Sequence, residues 1–526
     1  MKILLVYPEM YDSFYAFRHL ASLIGKKAAF PPLGLLTVAA MLPQSWERKL
    51  VDLNVKALSD SDIEWADMVF LSAMNVQEES VRKIIAQCKR KNATIVAGGP
   101  LFTHEHERFD GIDHFVLNEA EITLPEFLAD LESGQAKPIY KTSEFADVSK
   151  TPVPQMELIN MKDYLYAIIQ FSRGCPYLCD FCDVTTLYGR KPRTKSAEQI
   201  IAELELIHKA GEIQNVLFAD DNLIGNKKIL KSELLPALID WQYRTNPGLY
   251  FITQLTINLA DDDEMMRLML EAKFRNVFIG IETPEEDSLK LSLKNQNLKR
   301  DILGNIHKLH QAGFTIMGGF IVGFDTDKDN SFKNIIDFIQ ESGIPIPIVN
   351  VLKAPPGTAL FDRMKRENRL SRHFTFSEGE TNIIPIMGAE RLKNGFLQVV
   401  SSIYPPEHSY KRVKRFLMVH EFPKNGGVKT KEKYTISQLY HIIKAIIKLA
   451  VFDKDGKYYR DLLLWTYKNK RKHLSLAVMY GMMLYQLREN YNQIVNTLSK
   501  SAFNYTPFAV ESGQNERFVE ADQLSI

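Results

Sequence analysis

Cysteine is scarce in this 526-residue chain: there are four, too few to staple a protein of this size, so a disulfide scaffold is excluded. Net charge is nearly absent as well. Sixty-five Lys and Arg face 64 Asp and Glu, a formal charge of +1, and no whole-molecule field gathers nucleic acid or acidic ligands. Long apolar runs are missing. The opening MKILLVYPE holds a five-residue apolar run that stops at Pro8, shorter than the ~7–15-residue core of a secretory signal. Residues 28–46 and 474–487 carry no charge, but Pro31, Pro32 and Pro43 break the first, and the second has 14 residues where a span needs ~20. No transmembrane helix is predicted, and a cytoplasmic protein is expected. Internal repeats are absent too.

What remains is ordinary globular composition, 45% hydrophobic and 25% charged, in a chain long enough for roughly three or four domains. Residues 1–132 alternate short apolar strand candidates (KILLVY, RKLVDLN, MVFLSAM, ATIVAGGP, DHFVLNEAE) with helical stretches. That is the α/β pattern of a doubly wound, Rossmann-like parallel sheet. Such a sheet binds ligands at the carboxyl ends of its strands, here Pro8-Glu9, residues 52–54, residues 72–75, Gly98-Gly99-Pro100 and Asn118-Glu119. Residues 133–162, with Pro138, Pro152 and Pro154, read as a linker. From 163 to 358 six further strand candidates (YAIIQFS, NVLFADD, YFITQLTI, NVFIGIE, TIMGGFIVGF, IPIVNVL) predict a partial barrel with chemistry at its strand carboxyl ends. Residues 359–511 read as mainly helical and 512–526 as a flexible tail. Residues 411–472 hold 17 Lys or Arg and 5 Asp or Glu, an excess of +12 that leaves the rest of the chain at −11. One surface is therefore basic, either as a solvated helix face or because an anionic surface or substrate lies nearby.

Three of the four cysteines, Cys175, Cys179 and Cys182, fall in FSRGCPYLCDFCDV, a C-x3-C-x2-C loop directly after an apolar strand. Three thiolates on one tight loop suit three irons of a cubane and leave the fourth iron open to a small molecule. A structural zinc site is the competing reading, but it wants four ligands, and the next histidine, His208, lies on a predicted helix. Cys88, on the run EESVRKIIAQCKRK, reads as an inert helix cysteine.

On these residues the sequence resembles the radical S-adenosylmethionine (SAM) superfamily. ADDN at 219–222, GIETP at 280–284, GGFIVGFDTD at 318–327 and APPGT at 354–358 agree with it. The resemblance implies a [4Fe-4S] cluster on Cys175, Cys179 and Cys182, with SAM chelating the open iron and yielding a 5′-deoxyadenosyl radical. Asp220 and Asp221 stand where many members carry Gly-Gly-Glu and are candidates for the methionine end of SAM. Glu282 is the candidate for a ribose or methionine contact. Thr326 replaces the acidic residue usual in the fifth strand.

The open sheet ahead of the barrel narrows the resemblance to cobalamin-binding radical SAM enzymes, on FPPLGLLTVAAMLP, the Gly98-Gly99-Pro100 turn and NEAE at 118–121. The resemblance implies cobalamin between sheet and barrel, against Ser72, Asn75, Gly98, Gly99, Pro100 and Glu119. Asn118 and Ala120 stand where glycines are usual. No D-x-H-x-x-G signature is present, so no histidine is expected below the cobalt; His104 and His106 read as polar loop residues. The run GCPYLCDFCDVTTLYGRKPRTKS is similar to the hopanoid C-2 methylase-like branch.

The implied activity is methylation of an unactivated carbon, with one SAM methylating the corrinoid and a second generating the radical that abstracts a substrate hydrogen. A cobalamin-dependent cyclase or rearranging enzyme is the alternative, and a non-catalytic iron–sulfur or corrinoid-binding protein is the alternative from another class. A methylthiotransferase would need three more N-terminal cysteines. The expected partners are a small-molecule or lipid substrate and an electron donor such as flavodoxin or ferredoxin, with no nucleic acid. The apolar runs LYHIIKAIIKLAVF and LSLAVMYGMMLYQL beside the basic stretch leave room for peripheral contact with an anionic membrane at its inner face.

Overall fold

The computed structural model describes residues 1–11, 13–14, 16–211, 213–371, 378–423 and 436–500. The expected tail, 512–526, lies outside them, as does part of the basic stretch.

The first five strand candidates form β1 (Lys2–Tyr7), β2 (Glu47–Asp52), β3 (Met68–Ser72), β4 (Thr94–Gly98) and β5 (His114–Val116). They pair in parallel in the order β2-β1-β3-β4-β5. A sixth strand, β6 (Ile139–Tyr140), comes from the segment read as a linker and pairs with β5. Two residues after Pro138 are too short a run to stand out in sequence. Helices cover both faces, so the strand interiors are apolar on both sides: Leu4 and Val6 point into one core, Ile3 and Leu5 into the other. The order reverses at β1, which puts a crevice beyond Tyr7 and Ser72.

All six later candidates are strands: β7 (Ala167–Ile169), β10 (Asn215–Phe218), β11 (Tyr250–Leu255), β12 (Phe274–Glu282), β13 (Thr315–Val322) and β14 (Ile346–Val351). They run parallel in chain order from β7 to β14, the sheet of an open, partial barrel. Helix Ala197–Ala210 buries Ile200, Leu204 and Ile207 against this sheet, the face its apolar spacing predicted. A small antiparallel pair, β8 (Ser172–Arg173) and β9 (Arg193–Thr194), clasps the segment carrying the three cysteines.

The C-terminal helices share the barrel's core. Phe396, Val400, Ile403 and Phe416 join the same buried cluster as Ile316 and Ile348 of β13 and β14. The uncharged run at 474–487 opens the 27-residue helix Leu474–Lys500. Among the described residues no helix is long and apolar enough to cross a membrane.

Candidate functional site

The carboxyl ends of the two sheets face each other across a cavity of about 1020 Å³. That is the upper end of the range for small-molecule sites, ~300–1,000 Å³. The first sheet supplies Tyr7, Ser72, Gly98, Gly99, Pro100 and Glu119; the barrel supplies Ile168, Gln170, Ala219, Gln254 and Phe278. Residues 28–35, Ala28-Ala29 and the FPPLGL segment, close one side, with Pro31-Pro32 ahead of helix Leu33–Met41. Asn75 is the exception among the expected contacts: its neighbours Met74 and Val76 line the cavity, and its own side chain does not. No histidine is among the lining residues described.

The Gly-Gly-Pro turn is dictated by space. A Cβ on Gly98 would stand 2.6 Å from the Val116 carbonyl oxygen, and one on Gly99, at φ +94°, 2.8 Å from Ser72 Oγ. The backbone thereby approaches the cavity without side-chain cover. Asn118 sits at φ +64°, the left-handed region that Asn tolerates, which explains why it can stand where glycine is usual. Its backbone N–H donates to Thr103 Oγ1 at 2.9 Å.

The cysteine loop is braced from both sides. Asp220, fully inside, accepts from the Ser172 N–H and hydroxyl at 2.6 and 2.5 Å and from the Phe171 N–H at 3.1 Å. Asp221 accepts from the Gly174 N–H at 3.0 Å. Burial pushes Asp220 up to about 7 and Asp221 up to about 6. Both are candidates for the methionine end of SAM, and Asp220's two oxygens and one of Asp221's accept from the strand and turn that carry Cys175. Gly174, at φ +96°, leaves no room for a Cβ, which would meet two carbonyl oxygens at 2.9 Å. The Cys175 N–H then donates to Gly189, which explains the YGR run behind the loop.

All three thiols are half-buried and free, while Cys88 is fully buried in the first domain's core. Burial raises Cys175 and pushes Cys182 up to about 12; a metal ligand is deprotonated, so binding a cluster would release these protons. Gln296 Nε2 donates toward Cys179 Sγ at 3.5 Å, a bond suited to a thiolate. Among the described residues no three His, Cys, Asp or Glu side chains converge as a single bound ion demands. A cubane does not ask for that convergence, because each thiolate binds a different iron. The residues therefore fit the cluster.

Glu282 ends β12 at φ +66° and pairs with Lys294 at 2.6 Å. Burial alone would lower the Lys294 ammonium; the Glu282 carboxylate, and Cys179 and Cys182 in their thiolate form, outweigh it and raise it. A Cβ at Gly280 would lie 2.3 Å from Glu282 Oε1, so a side chain there would displace the Glu282 carboxylate. Thr326, in place of the usual acid, shares a hydrogen bond with Ser288 at 2.7 Å.

Sequence reasoning missed the joint between the two halves. Arg173, two residues before Cys175, pairs with Glu119 and Glu121 at 2.8 Å each, and Arg193 pairs with Glu119 at 2.9 Å. Glu119, expected at cobalamin, also accepts from the Ala146 N–H. It lines the cavity as the hub of this joint. The available signal was a charge, Arg173, closing an apolar strand. His104 and His106 lie behind the Gly-Gly-Pro turn, off the cavity wall, and one ring nitrogen of each is buried without a partner.

Comparison with known proteins agrees with this geometry. Family models described as B12 binding domain, Radical SAM superfamily and a domain of unknown function match residues 27–128, 169–339 and 358–500. An uncharacterized methyltransferase of Synechocystis sp. is 40% identical over 78% of this chain and 77% of its own length. The hopanoid C-2 methylase of Rhodopseudomonas palustris is 35% identical over 78% of each, and a bacteriochlorophyllide d C-12(1)-methyltransferase of Chlorobaculum tepidum 25% over 74% and 86%. The fold is that of the cobalamin-dependent SAM radical enzyme OxsB (TM-score 0.59, 15% identity, 95% of this chain and 81% of the other). It is also that of the methyltransferase TsrM from Kitasatospora setae (TM-score 0.58, 14% identity, 94% and 100%). From the cysteine loop, the sheet-edge cavity and the extent of these matches, the chain belongs to the cobalamin-dependent radical SAM methyltransferases, enzymes of [4Fe-4S] cluster, SAM and cobalamin.

Proposed function

We propose that the chain methylates an unactivated carbon of a largely apolar substrate, with Cys175, Cys179 and Cys182 holding the cluster and the corrinoid lying in the cavity against Ser72, Gly98, Gly99 and Pro100. The observation that carries this reading is the cavity itself. It adjoins the cysteine segment on one side and the bare Gly-Gly-Pro backbone on the other. When bound, the cluster with SAM supplies hydrogen-atom abstraction and the corrinoid supplies the methyl group. The chain's own residues position and protect. Asp220 and Asp221 fix the cluster loop, Lys294 offers it a positive charge, and Leu35, Phe70, Val96 and Leu124 give the cavity dry walls. Glu282, paired with Lys294, is the residue we assign to the SAM end of the site. The named substrates of two relatives, a hopanoid and a bacteriochlorophyllide, are both mostly hydrocarbon. The electron donor is a small acidic carrier such as flavodoxin or ferredoxin: Leu178 is exposed on the cysteine loop, with Arg190 and Lys191 exposed just behind it.

The test is anaerobic incubation of reconstituted, reduced protein with SAM and a lipid extract. The expected products are 5′-deoxyadenosine and a lipid heavier by one CH2. A rearranged product of unchanged mass would replace methylation with the isomerising alternative, and no SAM cleavage would remove the catalytic reading.

A further inference from the structure

The helix Ile436–Ile447 and the π-helical segment Lys448–Phe452 that continues it carry an apolar face that nothing described covers. Ile436 is 90% exposed, Tyr440 60%, Val451 64% and Phe452 79%, with Leu439, Ile443 and Ile447 also exposed on the same i, i+3, i+4 stripe. Leu464 and Tyr467, on helix Gly456–Asn469, add further exposed apolar surface close by in the chain. Scattered apolar residues are normal on a surface; a contiguous stripe of this size marks a docking face.

The charge around it selects the occupant. Residues 436–452 contain no acidic residue. Nearby carboxylates are already matched, Asp453 and Asp455 by Arg488 and Asp461 by Lys414. Lys444, Lys454, Lys457 and Lys468 are exposed, and no described carboxylate pairs with them. An apolar stripe flanked by uncompensated lysines is complementary to an anionic bilayer, into which such a helix sinks ~5–10 Å without spanning it.

The inner face of the same element reaches the site. Ala445, Leu449 and Ala450 pack in one buried cluster with Leu20, Leu23 and Ala29, and Phe30 packs against that cluster. Ala29 and Phe30 are also cavity wall. Gly25 lets the helix approach, since a Cβ there would stand 2.5 Å from the His441 ring. This buried cluster therefore joins the inner face of the element to the cavity wall. We infer that this face docks on an anionic lipid bilayer and that the apolar substrate passes from the bilayer to the cavity past Ala29 and Phe30. The inference rests on the proposed apolar substrate for its second half only; docking stands without it.

The test is cosedimentation of the full chain with vesicles of phosphatidylcholine alone or mixed with phosphatidylglycerol. Expected are binding to the mixed vesicles, weak or no binding to the neutral ones, and release at 1 M salt, where the Debye length is ~3 Å. Each of Lys444→Gln and Lys454→Gln should weaken binding about fivefold. The combined Leu439→Ser, Ile443→Ser, Val451→Ser and Phe452→Ser variant should lose it more than tenfold with an unchanged circular dichroism spectrum. Absence of vesicle binding, or equal binding by wild type and the serine variant, would overturn the proposal. A wild-type dimer that the serine variant abolishes, without vesicle binding, would overturn it in favour of a second copy. Vesicle binding needs no cofactor, so its failure is separable from failure of SAM cleavage.

Discussion

At the scale of single residues, Cys175, Cys179 and Cys182 were legible because their spacing alone carries the chemistry. Their Ala variants should lose the iron, measured by metal content and the reduced protein's paramagnetic resonance, while Cys88→Ala retains it; zinc after anaerobic preparation would overturn the assignment. Glu119 was legible as a strand-end residue at the site, but its partners were not, since Arg173 and Arg193 lie 54 and 74 positions away. Asp220 and Asp221 show the same limit. A motif position names a residue, and only the fold shows that its carboxylate already serves the backbone of the cysteine loop. Glu119→Ala removes the carboxylate that pairs with Arg193 in a largely buried setting, at a cost of order 3 kcal/mol, the low end for a broken buried pair because Glu121 still holds Arg173. Thermal unfolding should show a drop of several degrees, with Glu119→Gln recovering part of it through the Ala146 N–H.

At the scale of elements, strands buried on both faces are the easiest signal, near-continuous apolar runs such as KILLVY and MVFLSAM. The two-residue strands β6, β8 and β9 escaped, because tertiary pairing and not local pattern creates them. Helix packing hides further chemistry. His310, on helix Ile302–Ala312, and His420, after helix Pro406–Val419, meet around the Phe416 ring. Burial holds His310 down at about 3 and His420 at about 4. The unfolded chain binds protons near 6.5 that the folded one refuses, so this contribution to stability is whole above pH 6.5 and falls as pH drops toward 4 and 3. The slope is about 1.4 kcal/mol per pH unit for each histidine. Buried carboxylates such as Asp327, pushed up to about 6, titrate in the opposite sense, so the readout is a difference between variants. The destabilisation caused by His310→Gln should shrink by about 2 kcal/mol between pH 7.5 and pH 5.0 in urea unfolding. An unchanged difference would place a charged imidazole in the folded core.

At the scale of the whole molecule, the order of sheet, barrel and helical region was readable from the alternation of strand and helix signals. The shared core of barrel and C-terminal helices was not, because a buried apolar stripe does not announce its partner. The absence of histidine among the described cavity residues makes a spectroscopic prediction: bound Co(II) corrinoid should show no superhyperfine splitting from a protein imidazole nitrogen, and such splitting would overturn it. The joint at Arg173 carries a last consequence. This side chain is anchored on Glu119 and Glu121 at the edge of the first sheet, and its backbone leads within two residues to Cys175. Whatever orders one end of that lever orders the other, and equilibrium thermodynamics makes the influence mutual. Protein carrying its iron should take up corrinoid more tightly than iron-free protein, corrinoid should protect the iron from chelators by the same factor, and Arg173→Gln should bring that factor to one.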